Sequence, residues 1–169
     1  MTKKIIFQDI DGPLIPFRLY FKGDRPLYQY SQGAFFYDPI AVLMLKELCE
    51  KCEAKVVFNT AHNENPAEIM KHQAVMNGMV DIMHEDIQTN YCKKEFPDLS
   101  RSDAIFRWLL NHPEVTDWVV IDDMLVHPTR QARVDFNIGM TMDTYQLAYR
   151  ILMKEDAKRI MSVLGTYSH

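Results

Sequence analysis

The sequence predicts an α/β fold of three layers, a mostly parallel central sheet between helices, and two observations predict it. Ile5-Ile6-Phe7, Val56-Val57-Phe58 and Val119-Val120-Ile121 are short apolar runs without polar alternation, as in strands covered on both faces. Between them lie segments with helical spacing and usable caps. Strand and helix therefore alternate as in layered α/β proteins, not as in bundles or sandwiches.

In chain order, the first apolar run gives way to residues 13–38, a stretch crowded with Phe17, Tyr20, Phe21, Tyr28, Tyr30, Phe35, Phe36 and Tyr37 and without periodicity. It reads as a short cap or flap, either a hydrophobic lid or a surface whose rings meet a planar group. Asp38 as N-cap and Pro39 at the first helical position start a helix to about Glu53. Ala41, Met44, Leu45, Leu48, Cys49 and Cys52 share its apolar face. After the second run, Asn65 and Glu68 stand in cap and third-position relation, predicting a helix that leaves at Gly78, followed by a short strand at 80–83. Ser100 and Asp103 open another helix, with Ile105, Trp108 and Leu109 inward and His112-Pro113 as its stop. Residues 143–164 read as one bent helix or two.

A chain of 169 residues fits one domain with a real core. Residues 1–169 are expected to form it. The net charge of −4 supplies no general basic footprint for duplex nucleic acid. No apolar run approaches a membrane span and the first residues make no signal peptide, so the expected location is the cytoplasm. Three cysteines argue against a disulfide framework. The Cys49/Cys52 pair reads as core filling, since both thiols lie on the apolar face and no second ligand pair accompanies them. The sequence does not fix an oligomeric state.

Each apolar run ends in a chemically competent residue: Asp9 and Asp11, then Thr60, then Asp122 and Asp123. In an open parallel sheet the crevice lies beyond the carboxyl ends of the strands, so four carboxylates and a hydroxyl would share one site. Acids that close repel unless a cation joins them, and hard oxygen donors suit Mg²⁺. The candidate ligands are Asp9, Asp11, Asp122 and Asp123.

Phe7-Gln8-Asp9-Ile10-Asp11-Gly12 resembles the first motif of the haloacid dehalogenase (HAD) superfamily. Asn59-Thr60 resembles its second motif and Ile121-Asp122-Asp123 its fourth. The run Asp9-Ile10-Asp11-Gly12-Pro13-Leu14, with Trp118 to Asp123, is most similar to the small HAD domains of RNA repair proteins. The resemblance implies a Mg²⁺-dependent phosphomonoesterase. Asp9 would be the nucleophile and Asp11 the acid and base, with its main-chain carbonyl a further metal ligand. Thr60 would contact the phosphoryl group, with Ala61, His62 and Gly12 around the substrate. Arg101 stands where the family places a lysine; Lys93 and Lys94 are the alternatives. Residues 133–141 would hold the last sheet strand and its turn. A short cap leaves the site open, favouring a nucleotide, a polynucleotide end or a phosphoprotein as substrate.

Two other readings fit parts of the pattern. A phosphoacceptor receiver domain also joins carboxylates, Thr and Mg²⁺, but would carry its acidic pair early and its phosphorylated Asp before the Thr. A binding or regulatory module on the same fold would explain an irregular Arg101.

Overall fold

The computed structural model describes residues 3–22, 25–26, 35–89, 91 and 98–154. At its centre lies β1 (Lys3–Gln8), flanked by β4 (Ala54–Phe58) and β6 (Val115–Asp122). β5 (Met83–Gln88) extends the sheet beyond β4, and β7 (Gln131–Arg133) extends it beyond β6. Every pairing within this sheet is parallel, as the expected fold class requires.

The alternation of side chains along β1 divides the core in two. Ile6, with Val56, Phe58, Val119 and Ile121, packs under α2 (Pro39–Cys52), α3 (Ala67–Met76) and α5 (Met142–Met153). Ile5 and Phe7, with Val57 and Val120, face α4 (Arg101–Asn111) through Ile105 and Trp108. The Phe7 ring meets Trp108 and Trp118 edge-on, at 5.4 and 5.9 Å between centroids. Burying one such side chain contributes about 1.5–3 kcal/mol, so both faces of β1 are strongly specified. The three layers follow from that.

Local signals place the helices. Asp38 caps α2 by accepting from the Ile40 N–H at 2.9 Å, and its other oxygen accepts from Arg18 at 2.8 Å. Arg18 lies in α1 (Phe17–Tyr20), so the cap of α2 also anchors the segment before it. Ser100 and Asp103 form a reciprocal capping box at the start of α4. Cys49 and Cys52 are buried on the inner face of α2, and burial pushes the Cys49 thiol up to about 12. They fill core.

Three expectations shift. α3 starts at Ala67 with Pro66, not Asn65, at its N-cap, because Asn65 closes a 3₁₀ turn (Ala61–Glu64) by donating from its side chain to the His62 carbonyl at 3.0 Å. The strand expected at 80–83 is a turn, with Val80 63% exposed, and β5 begins at Met83. β7 is short and precedes the expected 133–141, most of which forms a loop closed by an Asp135/Gly139 bridge. Of the expected insert at 13–38, a ribbon of β2 (Phe21–Lys22) and β3 (Arg25–Pro26) is present. Residues 23–24 and 27–34, including Tyr28 and Tyr30, lie outside the described residues, as do Lys93, Lys94, Cys92 and the expected helix beyond 154. Among the described residues, no helix is long and apolar enough to cross a membrane.

Candidate active site

Asp9, Thr60 and Asp122 meet at the carboxyl edge of the sheet because three neighbouring strands end together. Gln8 is in register with Phe58 and Ile121, so the residues that follow emerge side by side. The Asp9 N–H continues the ladder to the Ile121 carbonyl at 2.9 Å, and the Asn59 N–H reaches the Gln8 carbonyl at 2.9 Å. Beneath them Thr89 donates from its hydroxyl to the Asn59 side chain at 2.7 Å, in a layer wholly removed from water.

Asp9, Asp122 and Asp123 each offer a carboxylate oxygen within 4.8 Å of the others. Asp9 and Asp122 are buried. Arg101, the first residue of α4, sends one guanidinium nitrogen to both, at 2.6 Å from an oxygen of each. Burial raises the pKa of Asp9, against the opposing pull of Arg101 and of a hydrogen bond from the Thr60 hydroxyl. Burial and the neighbouring Asp9 charge push Asp122 up to about 7, with Arg101 and the Met124 N–H opposing. Burial lowers the Arg101 pKa, but the two carboxylates outweigh it and raise the value above the ordinary one. Three carboxylates and one guanidinium leave an excess of negative charge in a confined space. Hard oxygen donors with surplus charge fit a divalent cation of the Mg²⁺ type.

Asp11 sits outside this cluster. A turn over residues 10–15, held by N–H groups of Leu14 and Ile15 on the Ile10 carbonyl, carries its half-exposed side chain toward His62, whose Nε2 lies 3.0 Å from a carboxylate oxygen. That hydrogen bond raises the His62 pKa above its ordinary value, against burial. Gly12 serves the turn: its φ is +88°, its N–H goes to the Ile15 carbonyl, and a Cβ there would stand 3.0–3.1 Å from the Asp123 side chain. Glycine is therefore needed both for the backbone and for the close approach. Ala61 lines a cleft of about 560 Å³ that opens beside Arg101.

Other contributors carry no motif. Tyr91, Leu99, Met124, Leu125 and Val126 wall the same cleft, and the Arg101 guanidinium lies 5.8 Å from the centre of the Tyr91 ring. Gln131 ties the loop after Asp122 by accepting from the Val126 and His127 N–H groups at 2.8 and 3.0 Å while donating to the Asp122 carbonyl at 3.2 Å. A glutamine in a short edge strand gives no sequence cue for that role.

The model of the HAD domain in Swiss Army Knife RNA repair proteins matches residues 5–144. The chain belongs to this family. No curated protein and no solved structure gives a significant match. Membership in this HAD family points to a phosphatase-type hydrolase, and the matched span takes in every residue of the cluster as well as Arg101, Asp11, Thr60 and His62. HAD proteins typically use Mg²⁺, which agrees with the acidic donor set found at Asp9, Asp122 and Asp123.

Proposed function

We propose that the chain is a Mg²⁺-dependent phosphomonoester hydrolase that works through an aspartyl-phosphate on Asp9, with a terminal phosphate of RNA or of a nucleotide as its substrate class. The observation that carries this reading is the bridge from Arg101 to Asp9 and Asp122 at the carboxyl edge of the sheet. It anchors the nucleophile's carboxylate and supplies the positive charge that a phosphoryl group needs, the part a lysine plays at that place in HAD enzymes.

In the proposed reaction an Asp9 carboxylate oxygen attacks phosphorus as the bond to the leaving oxygen breaks, and the Asp11 carboxyl gives that oxygen its proton. Asp11, now a carboxylate, then takes a proton from water. The water oxygen bonds to phosphorus, the bond from phosphorus to Asp9 breaks, and inorganic phosphate leaves. Thr60, buried beside Asp9, donates toward the phosphoryl oxygens. Asp9, Asp122 and Asp123, with the Asp11 carbonyl, would hold Mg²⁺, whose positive charge would offset that of the phosphoryl group.

The cleft beside Arg101 would take the leaving group. Its walls are largely apolar, with Ser100, Ser102 and Asp98 at hand, a lining suited to a nucleoside more than to a run of further phosphates. The family's place in RNA repair proteins supports the same class. Phosphate release should be measured with 3′- and 5′-phosphorylated RNA oligonucleotides, mononucleotides and phosphopeptides. Turnover of the nucleic-acid substrates that Asp9→Asn eliminates supports the reading; no turnover of any monoester with Mg²⁺ present contradicts it.

A further inference from the structure

We infer that His62 is a positioning residue for Asp11, holding in place the carboxylate that carries protons. The inference rests on the role proposed above for Asp11. The two side chains come from separate loops, the turn after β1 and the 3₁₀ turn after β4, and meet at 3.0 Å between Nε2 and a carboxylate oxygen. They are 51 positions apart in the chain, so the contact belongs to the fold and not to a local motif.

His62 is the less exposed of the two, its side chain at 23% against 38% for Asp11. Its N–H is donated to the Thr60 hydroxyl at 3.4 Å, its carbonyl accepts from the Asn65 side chain at 3.0 Å, and the Phe35 ring meets its imidazole edge-on at 5.1 Å. A proton carrier must stand within a fraction of an ångström of its working geometry, and a neighbour locked by its own contacts provides that. The same 3₁₀ turn begins at Thr60. One piece of backbone thus carries both the hydroxyl aimed at the phosphoryl group and the imidazole that sets Asp11.

A residue acting through the proton carrier leaves a signature that a phosphate contact or a structural role does not. Departure of an alkoxide needs the proton from Asp11; departure of p-nitrophenolate hardly does. kcat/KM reports the step in which the leaving group departs. It should be measured with Mg²⁺ for the full chain and for His62→Ala and His62→Gln, over monoesters from p-nitrophenyl phosphate to simple alkyl phosphates. His62→Ala is expected to lose about tenfold more on the alkyl esters than on the aryl ester. His62→Gln, whose amide can donate to or accept from the Asp11 carboxyl group, is expected to recover part of that difference. An equal loss along the series, no loss at all, or a His62→Gln variant no better than His62→Ala overturns the inference while leaving the phosphatase reading intact. Absence of turnover by the wild type overturns both.

Discussion

One nitrogen of Arg101 lies 2.6 Å from an oxygen of Asp9 and also bridges to Asp122. A single cation thus joins two carboxylates that are 1% and 0% exposed at the side chain. Removing that cation strands two buried charges, and breaking a buried pair typically costs 3–5 kcal/mol. Arg101→Met is therefore expected to lower the free energy of urea unfolding by about 3 kcal/mol. Because one nitrogen makes both contacts, Arg101→Lys should keep the bridge and lose less than half as much. Equal stability of the two variants would remove the bridge from the account.

Gly12 combines a positive φ with close packing on Asp123. Gly12→Ala places a methyl group against that carboxylate and strains the backbone by about 1–2 kcal/mol. The expected outcome is weaker Mg²⁺ binding by calorimetry together with a fall in kcat of tenfold or more. Wild-type affinity in this variant would show that Asp123 is not a ligand.

The excess negative charge at Asp9, Asp122 and Asp123 predicts that Mg²⁺ stabilises the fold. At a hundred times its dissociation constant a ligand of the native state adds about 2.7 kcal/mol. Thermal unfolding with and without Mg²⁺ should show an upward shift that Asp122→Asn reduces strongly. Chelation should abolish phosphate release, and added Mg²⁺ should restore it. A shift of the same size in Asp122→Asn would place the ion elsewhere.

His84 predicts a pH dependence of stability far from the site. It is buried against Trp108, its Nδ1 accepts from the Asp86 N–H at 3.1 Å, and burial, with His112 nearby, lowers its pKa. The unfolded chain takes up a proton near pH 6.5 that the folded state resists. Its contribution is therefore full above that pH and is lost as the pH falls. His84→Asn keeps an acceptor for Asp86 and removes the titration. Urea unfolding at pH 7.5 and 5.5 should show a smaller drop for His84→Asn than for the wild type; an equal drop would assign the dependence to other groups.

Much of this was legible in the residues. The apolar runs at 5–7, 56–58 and 119–121 became the three central strands because both faces of each are buried, which leaves no polar alternation to confuse the reading. Caps at Asp38 and Ser100 were legible because each depends on a side chain bonding its own backbone neighbours. What stayed hidden depends on tertiary partners. β5 reads as polar because Glu85 and Asp86 face water from a sheet edge, and Asn65 was diverted from capping α3 by the 3₁₀ turn before it. Asp9, Asp122 and Asp123 converge as their place at strand ends implied, whereas the pairing of Asp11 with His62 arises only when distant segments meet, and the clamp made by Gln131, though local, follows no motif.

The most direct test is to trap the phosphoryl group on the chain. Asp11→Asn should be mixed with ³²P-labelled p-nitrophenyl phosphate and Mg²⁺ and quenched in acid. The protein should then be reduced with borohydride, which converts a phosphorylated aspartate to homoserine, and mapped by mass spectrometry. The account predicts bound label with homoserine at position 9 alone. Phosphate release by the wild type with no label on the protein, or with label at any other residue, would contradict it.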